Sequence, residues 1–453
     1  MRRRRFLTTA ASAASAVAVA PLASLVGCGD VTLGGEPQPV PPSNVVLSLP
    51  KDMYAHPGAP TEWWWHIGTL RAGERVFGFE INAASFAGQG FAFTQVMLSD
   101  VARNTHYQRT TLFVPLTFDP SRWAASDPSR DWYARLGSVD SKLNAFAVVA
   151  PGSGYTSPPQ VEIVGGGGSG AAAIAALDPA TGGLANVLLV NPGSGYTSQP
   201  EVRLVGGGGG SGALVRALHT YVAMSAPQSD PTQDIHVQAL LVDDPSLTEV
   251  RFDLRFSQQG RPFFVWGTGI NPGGSGSDLQ TNNFYFSLTR LAASGTIELG
   301  GETFAVEGTT WMDHEYGAFG TAANPVKWFL QDMQLDDGTC LSNYATLEDG
   351  PPELGERRAS TATIQDASGS IWYVPTFVTP IERTWTSPVS GATYYLKLKV
   401  EIPSFDAELV VDALMDAQEF PVVGSPVYEG AASAAGTFRG RRVRGTAWLE
   451  QNL

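Results

Sequence analysis

Two stretches of the chain alternate strictly between apolar and polar side chains. Val250, Phe252, Leu254 and Phe256 interleave with Arg251, Asp253 and Arg255; Leu396, Leu398, Val400 and Ile402 interleave with Lys397, Lys399 and Glu401. A period of two residues belongs to strands, so each stretch offers one face to a core and the other to water. The 453 residues include 50 Gly and 31 Pro, which helix interiors disfavour, and only 16% are charged. Asp336-Asp337-Gly338 separates the runs Trp328–Leu335 and Cys340–Tyr344, a hairpin signal with Gly at the left-handed turn position. These patterns predict an all-β, antiparallel protein.

An internal repeat interrupts this plan. Pro151-Gly152-Ser153-Gly154-Tyr155-Thr156-Ser157 returns unchanged at Pro192 to Ser198, 41 residues later, and each copy continues through a Val-rich strand into a Gly run. The duplication is expected to be one β-repeat insertion over residues 141–220, a spacer or interaction module that resembles Gly-Ser-Gly-Tyr-Thr repeats of bacterial surface and phage proteins. Gly165, Gly167 and Gly170, like Gly207, Gly209 and Gly212, spell a dinucleotide fingerprint, but a cofactor site is not normally copied in tandem, so nucleotide binding is not expected. Without the insertion (80 residues) and the first 48 residues, 325 of the 453 remain, enough for two small closed barrels.

The N-terminus reads as an export address. Arg3-Arg4-Arg5-Phe6-Leu7 resembles a twin-arginine signal, and Leu25-Val26-Gly27-Cys28 resembles a bacterial lipobox. The resemblance implies a signal over residues 1–27, lipidation at Cys28 and a lipid anchor in the bacterial cell envelope. Residues 28–48, rich in Pro and Gly, are then a flexible tether, with folded structure expected from about Leu49. With Cys28 lipidated, Cys340 is left alone and no intrachain disulfide is expected. A net charge of −14 argues against nucleic acid as a partner.

Two clusters hold the candidate chemistry. In Glu62-Trp63-Trp64-Trp65-His66, a strand puts Glu62, Trp64 and His66 on one face and Trp63 and Trp65 on the other, with Glu62 and His66 roughly 13 Å apart. The indoles either fill a barrel or form an aromatic ligand wall able to stabilise positive charge. In Trp311-Met312-Asp313-His314-Glu315-Tyr316-Gly317, Trp311, Asp313 and Glu315 share a face, and two carboxyls roughly 7 Å apart oppose each other's ionisation. In a dry cavity one becomes a general acid; in a wetted loop the pair is ordinary. The six His residues (56, 66, 106, 219, 236 and 314) form no i,i+2 or i,i+4 pair, so no metal is expected.

These residues also carry a family resemblance. His56-Pro57 before Glu-Trp-Trp-Trp-His, Tyr285-Phe286-Ser287-Leu288-Thr289-Arg290, the Gly308–Gly317 run, Leu335-Asp-Asp-Gly-Thr and Tyr428-Glu429-Gly430 are similar to the carotenoid 1,2-hydratase (hydroxyneurosporene synthase) family and its secreted hydrolase-like relatives. The resemblance implies two lipocalin-like (calycin-like) antiparallel β-barrel lobes, placed at residues 49–300 and 301–453, with the insertion in the first. It implies no cofactor, and water addition across a carbon–carbon double bond of an apolar isoprenoid-like substrate. The family's acid falls on Asp313, with Glu62, His66 or Glu315 orienting water, and Trp63, Trp64, Trp65, Trp311, Tyr285 and Trp328 around the ligand. The family's strand upstream of the acid carries His and Trp, which Asn282–Phe286 lacks. Two readings stand: a hydratase or other lyase, and a non-catalytic envelope lipoprotein that carries an apolar ligand, with a hydrolase-like activity as a lesser third.

Overall fold

The computed structural model describes residues 37–114, 118–137, 141–244, 246–319, 326–421 and 426–453. The expected signal and Cys28 lie outside the described residues. The chain divides into two compact units, Val45–Ala318, and Phe319–Leu453 together with residues up to Asn44.

In Val45–Ala318, strands β1 (Thr61–Ala72), β2 (Arg75–Phe86), β3 (Phe91–Asp100), β4 (Thr105–Phe113) and β5 (Trp132–Leu136) come first. Then follow β6 (Ala145–Ser153), β7 (Gln160–Val164), β8 (Ser169–Leu177), β9 (Leu184–Ser194), β10 (Glu201–Val205) and β11 (Ser211–Leu218). The unit ends with β12 (Tyr221–Ala226), β13 (Ile235–Val242), β14 (Glu249–Gln258), β15 (Phe263–Phe264), β16 (Asn283–Leu299) and β17 (Glu302–Gly317). One antiparallel sheet runs β4-β3-β2-β1-β17-β16-β14-β13-β12-β5, with β15 against β16. Its ends approach each other: Asp244 N donates to Gln108 O at 3.1 Å, and Thr111 Oγ1 lies 2.8 Å from Thr220 Oγ1. The sheet is therefore a nearly closed barrel. Val250, Phe252, Leu254 and Phe256 all point into it, buried, as their alternation requires. Strands β6 to β11 pair among themselves around Leu143, Leu184, Val187 and Tyr196. Because β5 and β12 pair with each other, the segment between them leaves the barrel wall unbroken.

In the other unit, β18 (Trp328–Leu335), β19 (Cys340–Thr346), β20 (Arg358–Gln365) and β21 (Ile371–Pro380) are followed by a small hairpin, β22 (Thr384–Thr386) and β23 (Thr393–Tyr395). β24 (Lys397–Ile402), β25 (Ala407–Ala413), β26 (Glu419–Pro421), β27 (Pro426–Phe438) and β28 (Arg441–Asn452) complete it. The order β25-β24-β21-β20-β19-β18-β28-β27 closes into a barrel because β25 also pairs with β27. Leu396, Leu398, Val400 and Ile402 are fully buried in it, and Gly338 turns between β18 and β19 at φ 90°. Both lobes are lipocalin-like barrels, and among the described residues no helix is long and apolar enough to cross a membrane.

Two boundaries move. The expected division at 300/301 falls in the turn between β16 and β17, where Gly300 and Gly301 take φ of 59° and 84°. The second half of that hairpin pairs with β1, so Asp313 and its neighbours belong to the first lobe. Ordered contacts also begin upstream of Leu49: Val40 N donates to Ile371 O at 2.7 Å, Val46 N donates to Thr268 O at 2.9 Å, and Leu47 is buried.

Candidate functional site

The two motifs lie on adjacent strands. β1 and β17 pair antiparallel with Trp63 opposite Glu315, Trp64 opposite His314 and Trp65 opposite Asp313. Directly paired residues point to the same side of a sheet, so the register sorts the motifs into two faces.

The face turned away from the barrel core carries Asp313. Across the strands its row reads Ser287, Asp313, Trp65, Asn82, Gln95, and the next row contains Tyr285, Glu315 and Trp63. Ser287 Oγ and Trp311 Nε1 both donate to Asp313 Oδ1, at 2.5 and 2.7 Å. Asp313 is only 5% exposed. Burial pushes its carboxyl up, hydrogen bonds from Ser287, Trp311 and Tyr285 pull it down, and the balance lies at about 6. Glu315 accepts a hydrogen bond from Asn283 Nδ2, and Asn82 Nδ2 donates to Gln95 Oε1 at 3.1 Å. Trp63 stacks on Phe86, Trp311 meets Phe263 edge-on and Tyr285 meets Trp266 edge-on. The arrangement offers a weak acid among aromatic faces, which suits protonation of an apolar double bond.

The face turned into the barrel carries the other half of the motifs. Trp64 is fully buried, stacked 4.3 Å from the His314 ring, with Trp123 and Trp132 beside it. It is a core residue and does not share a surface with Asp313, which corrects its expected place at the ligand. His66 stacks on Phe256 at 4.7 Å, and neither ring nitrogen has a hydrogen-bond partner. Burial drives its pKa down to about 3. Glu62 meets His56 Nδ1 at 2.9 Å and His314 Nε2 at 3.6 Å, while His56 Nε2 lies 3.4 Å from Asp52. Burial works against charge on His56, yet its bonds to Asp52 and Glu62 outweigh it and raise the imidazole above its usual range. Burial likewise raises Glu62, and His56 limits the rise. Glu62 and His66 therefore cannot reach a water held beside Asp313 on the opposite face. Trp328 lies in the second unit, where its Nε1 donates to Glu450 Oε1 at 2.7 Å.

Asn82 and Gln95 were not singled out from the sequence, and Ser287 stood only within the Tyr285–Arg290 motif, without a role of its own. Their signal is register, which one chain does not display. A bulge between Leu288 and Leu291 shifts β16 against β17 by one residue; counting back from the Gly300-Gly301 turn without it sets Leu288 opposite Asp313. His56, Glu62 and His314 form the one described set able to offer three ligand atoms to a cation, all within 4.8 Å of one another. His56 and Glu62 lie six positions apart, but His314 joins them from some 250 positions further along the chain, so sequence spacing gives no hint of the set.

A family model described as AttH-like matches residues 213–451, more than half of the chain. Among solved structures, an AttH candidate from Nitrosomonas europaea is similar over 91% of this chain and 98% of its own, with 20% identity and a TM-score of 0.55. Kievitone hydratase from Nectria haematococca is similar over 92% of this chain and 95% of its own, with 14% identity and a TM-score of 0.55. No curated protein sequence matches.

Proposed function

The chain belongs to the AttH-like family, and from that premise we propose that it is a hydratase-like enzyme that adds water across a carbon–carbon double bond of an apolar, isoprenoid-like substrate. The observation that carries this reading is the setting of Asp313: a buried carboxyl with two donors on one oxygen, facing away from the core beside Trp63, Trp65 and Trp311. The acid transfers its proton to one alkene carbon, and the positive charge forms on the other. Indole faces lower the energy of that cation. Water attacks it, and the proton released returns to the Asp313 carboxylate, so the enzyme ends as it began. Glu315, on the same face, is placed to hold the water. The fold shared with kievitone hydratase and the sequence similarity to carotenoid 1,2-hydratases support the reaction class.

The twin-arginine and lipobox patterns support export and anchoring through Cys28, which would place the substrate in or near the envelope membrane. Incorporation of labelled palmitate into the wild type but not Cys28→Ala is the expected result; equal labelling sinks that part.

The decisive experiment incubates the purified chain and Asp313→Asn with a panel of extracted envelope isoprenoids and reads products by mass spectrometry. Gain of one water with the wild type alone supports hydration. Bound but unaltered ligand in both proteins means carriage instead.

A further inference from the structure

We propose that His56, Glu62 and His314 form a binding site for a divalent cation of the zinc type, on the barrel-side face of the strands that carry Asp313 on the other. Three observations point there. The ligand atoms lie within 4.8 Å of one another, and two imidazoles with one carboxylate are a donor set that zinc favours. The pair distances also suit an ion. Bonds of about 2.0–2.1 Å in tetrahedral geometry put ligand atoms roughly 3.3 Å apart. His56 Nδ1 and His314 Nε2 lie 2.9 and 3.6 Å from the same oxygen, Glu62 Oε1, and so bracket that separation.

The outward nitrogens are supported in the manner of metal ligands. A histidine that binds a metal through one nitrogen usually donates the other N–H to a carboxylate or a backbone carbonyl, which fixes ring and tautomer. His314 Nδ1 meets Trp63 O at 2.9 Å, and His56 Nε2 faces Asp52 Oδ1 at 3.4 Å. The rings are also held flat: His314 against Trp64 at 4.3 Å, and His56 against Tyr316 at 3.5 Å.

His314 Nε2 supplies the remaining observation. It is fully buried and has no hydrogen-bond partner, although it is aimed at Glu62. A buried polar atom left so costs stability unless something else satisfies it. A cation does so directly. Three protein ligands leave a fourth coordination position for water or another small donor. His56, with 16% of its side chain exposed, marks the side from which an ion enters.

The test uses the full chain, stripped with chelator and dialysed against Co2+ as a spectroscopic stand-in for Zn2+, with Zn2+ competition. One Co2+ per chain with intense tetrahedral ligand-field bands, displaced by Zn2+, is expected. Glu62→Gln, which keeps the side chain's shape, should lose more than a hundredfold in affinity, and His66→Leu in the same barrel should lose none. Asp52→Asn, behind His56, should cost tenfold to a hundredfold. It decides the matter if circular dichroism shows Glu62→Gln unfolded. No stoichiometric uptake, weak octahedral bands, or equal affinity in wild type and Asp52→Asn overturns the proposal.

Discussion

The two faces of the β1–β17 pair make opposite uses of the same residue types. On the face away from the core, Asp313 takes hydrogen bonds from a hydroxyl and an indole, and burial is the one influence that keeps its proton on. On the barrel side, Glu62 sits between two imidazoles, and charge there is shared along a chain that begins at Asp52. One face surrounds Asp313 with a hydroxyl, an indole and aromatic rings; the other gives Glu62 basic partners. Residues adjacent in sequence, Asp313 and His314 or Trp64 and Trp65, therefore answer to different environments on opposite faces of one sheet. A substitution that affects both faces equally would break this division.

The largest separation is expected from Asp313→Asn. Amide replaces acid at nearly constant shape, so hydration should fall by about 10²–10⁴-fold, the usual contribution of a general acid. The thermal midpoint should hardly move, since Ser287 and Trp311 still find an acceptor. Turnover within threefold of wild type in a steady-state assay removes Asp313 from the chemistry.

The barrel-side face should respond in stability. His66 has a pKa of about 3 when folded, against about 6.5 when unfolded. Between these values the unfolded chain binds more protons, so stability is full above pH 6.5 and is lost as pH falls toward 3. The whole window is worth on the order of 5 kcal/mol, because the ring is buried and has no compensating partner. His66→Leu should flatten that acid limb in urea titrations run from pH 7 to pH 4, while hydration at pH 7 stays as in the wild type. An unchanged limb would show that His66 already charges in the fold.

What the sequence disclosed follows from how local each pattern is. Alternation in Val250–Phe256 and Leu396–Ile402 needs only the chain itself, and so does the split of Trp63 and Trp65 from Trp64. That Asp313 and Glu315 share a face was legible for the same reason. Which residue stands across from each was not. The bulge after Leu288 exchanges an aliphatic for a hydroxyl opposite Asp313, and pairing β1 with β17 brings Glu62 to His314 across some 250 positions of chain. The lobe boundary failed likewise: Gly300-Gly301 marks a real turn, but inside a hairpin rather than between lobes.

Glu315→Gln offers a finer probe of the outward face. If Glu315 holds the attacking water, its amide should slow hydration about tenfold to a hundredfold, less than the loss of Asp313, because the cation still forms and is trapped less often. Elimination products, or exchange of substrate hydrogen with deuterated solvent, should then rise relative to hydrated product. An unchanged product ratio would assign Glu315 to anchoring Asn283 alone.

The smallest effect, and the most specific, belongs to Ser287→Ala. Its hydroxyl hydrogen-bonds the Asp313 carboxyl, so turnover should drop while KM stays near the wild-type value. A hydrogen bond to an ionisable carboxyl contributes about 1.5–3 kcal/mol, and Trp311 Nε1 remains on the same oxygen, so a loss of about tenfold is expected. Ser287→Thr keeps the donor and should restore most of the rate. Ser342→Ala serves as the matched control, a buried serine on β19 in the other lobe, and should leave turnover unaltered. If both alanines slow the reaction alike, the rate follows general stability, and the outward face loses its claim to be the site where the proton is given.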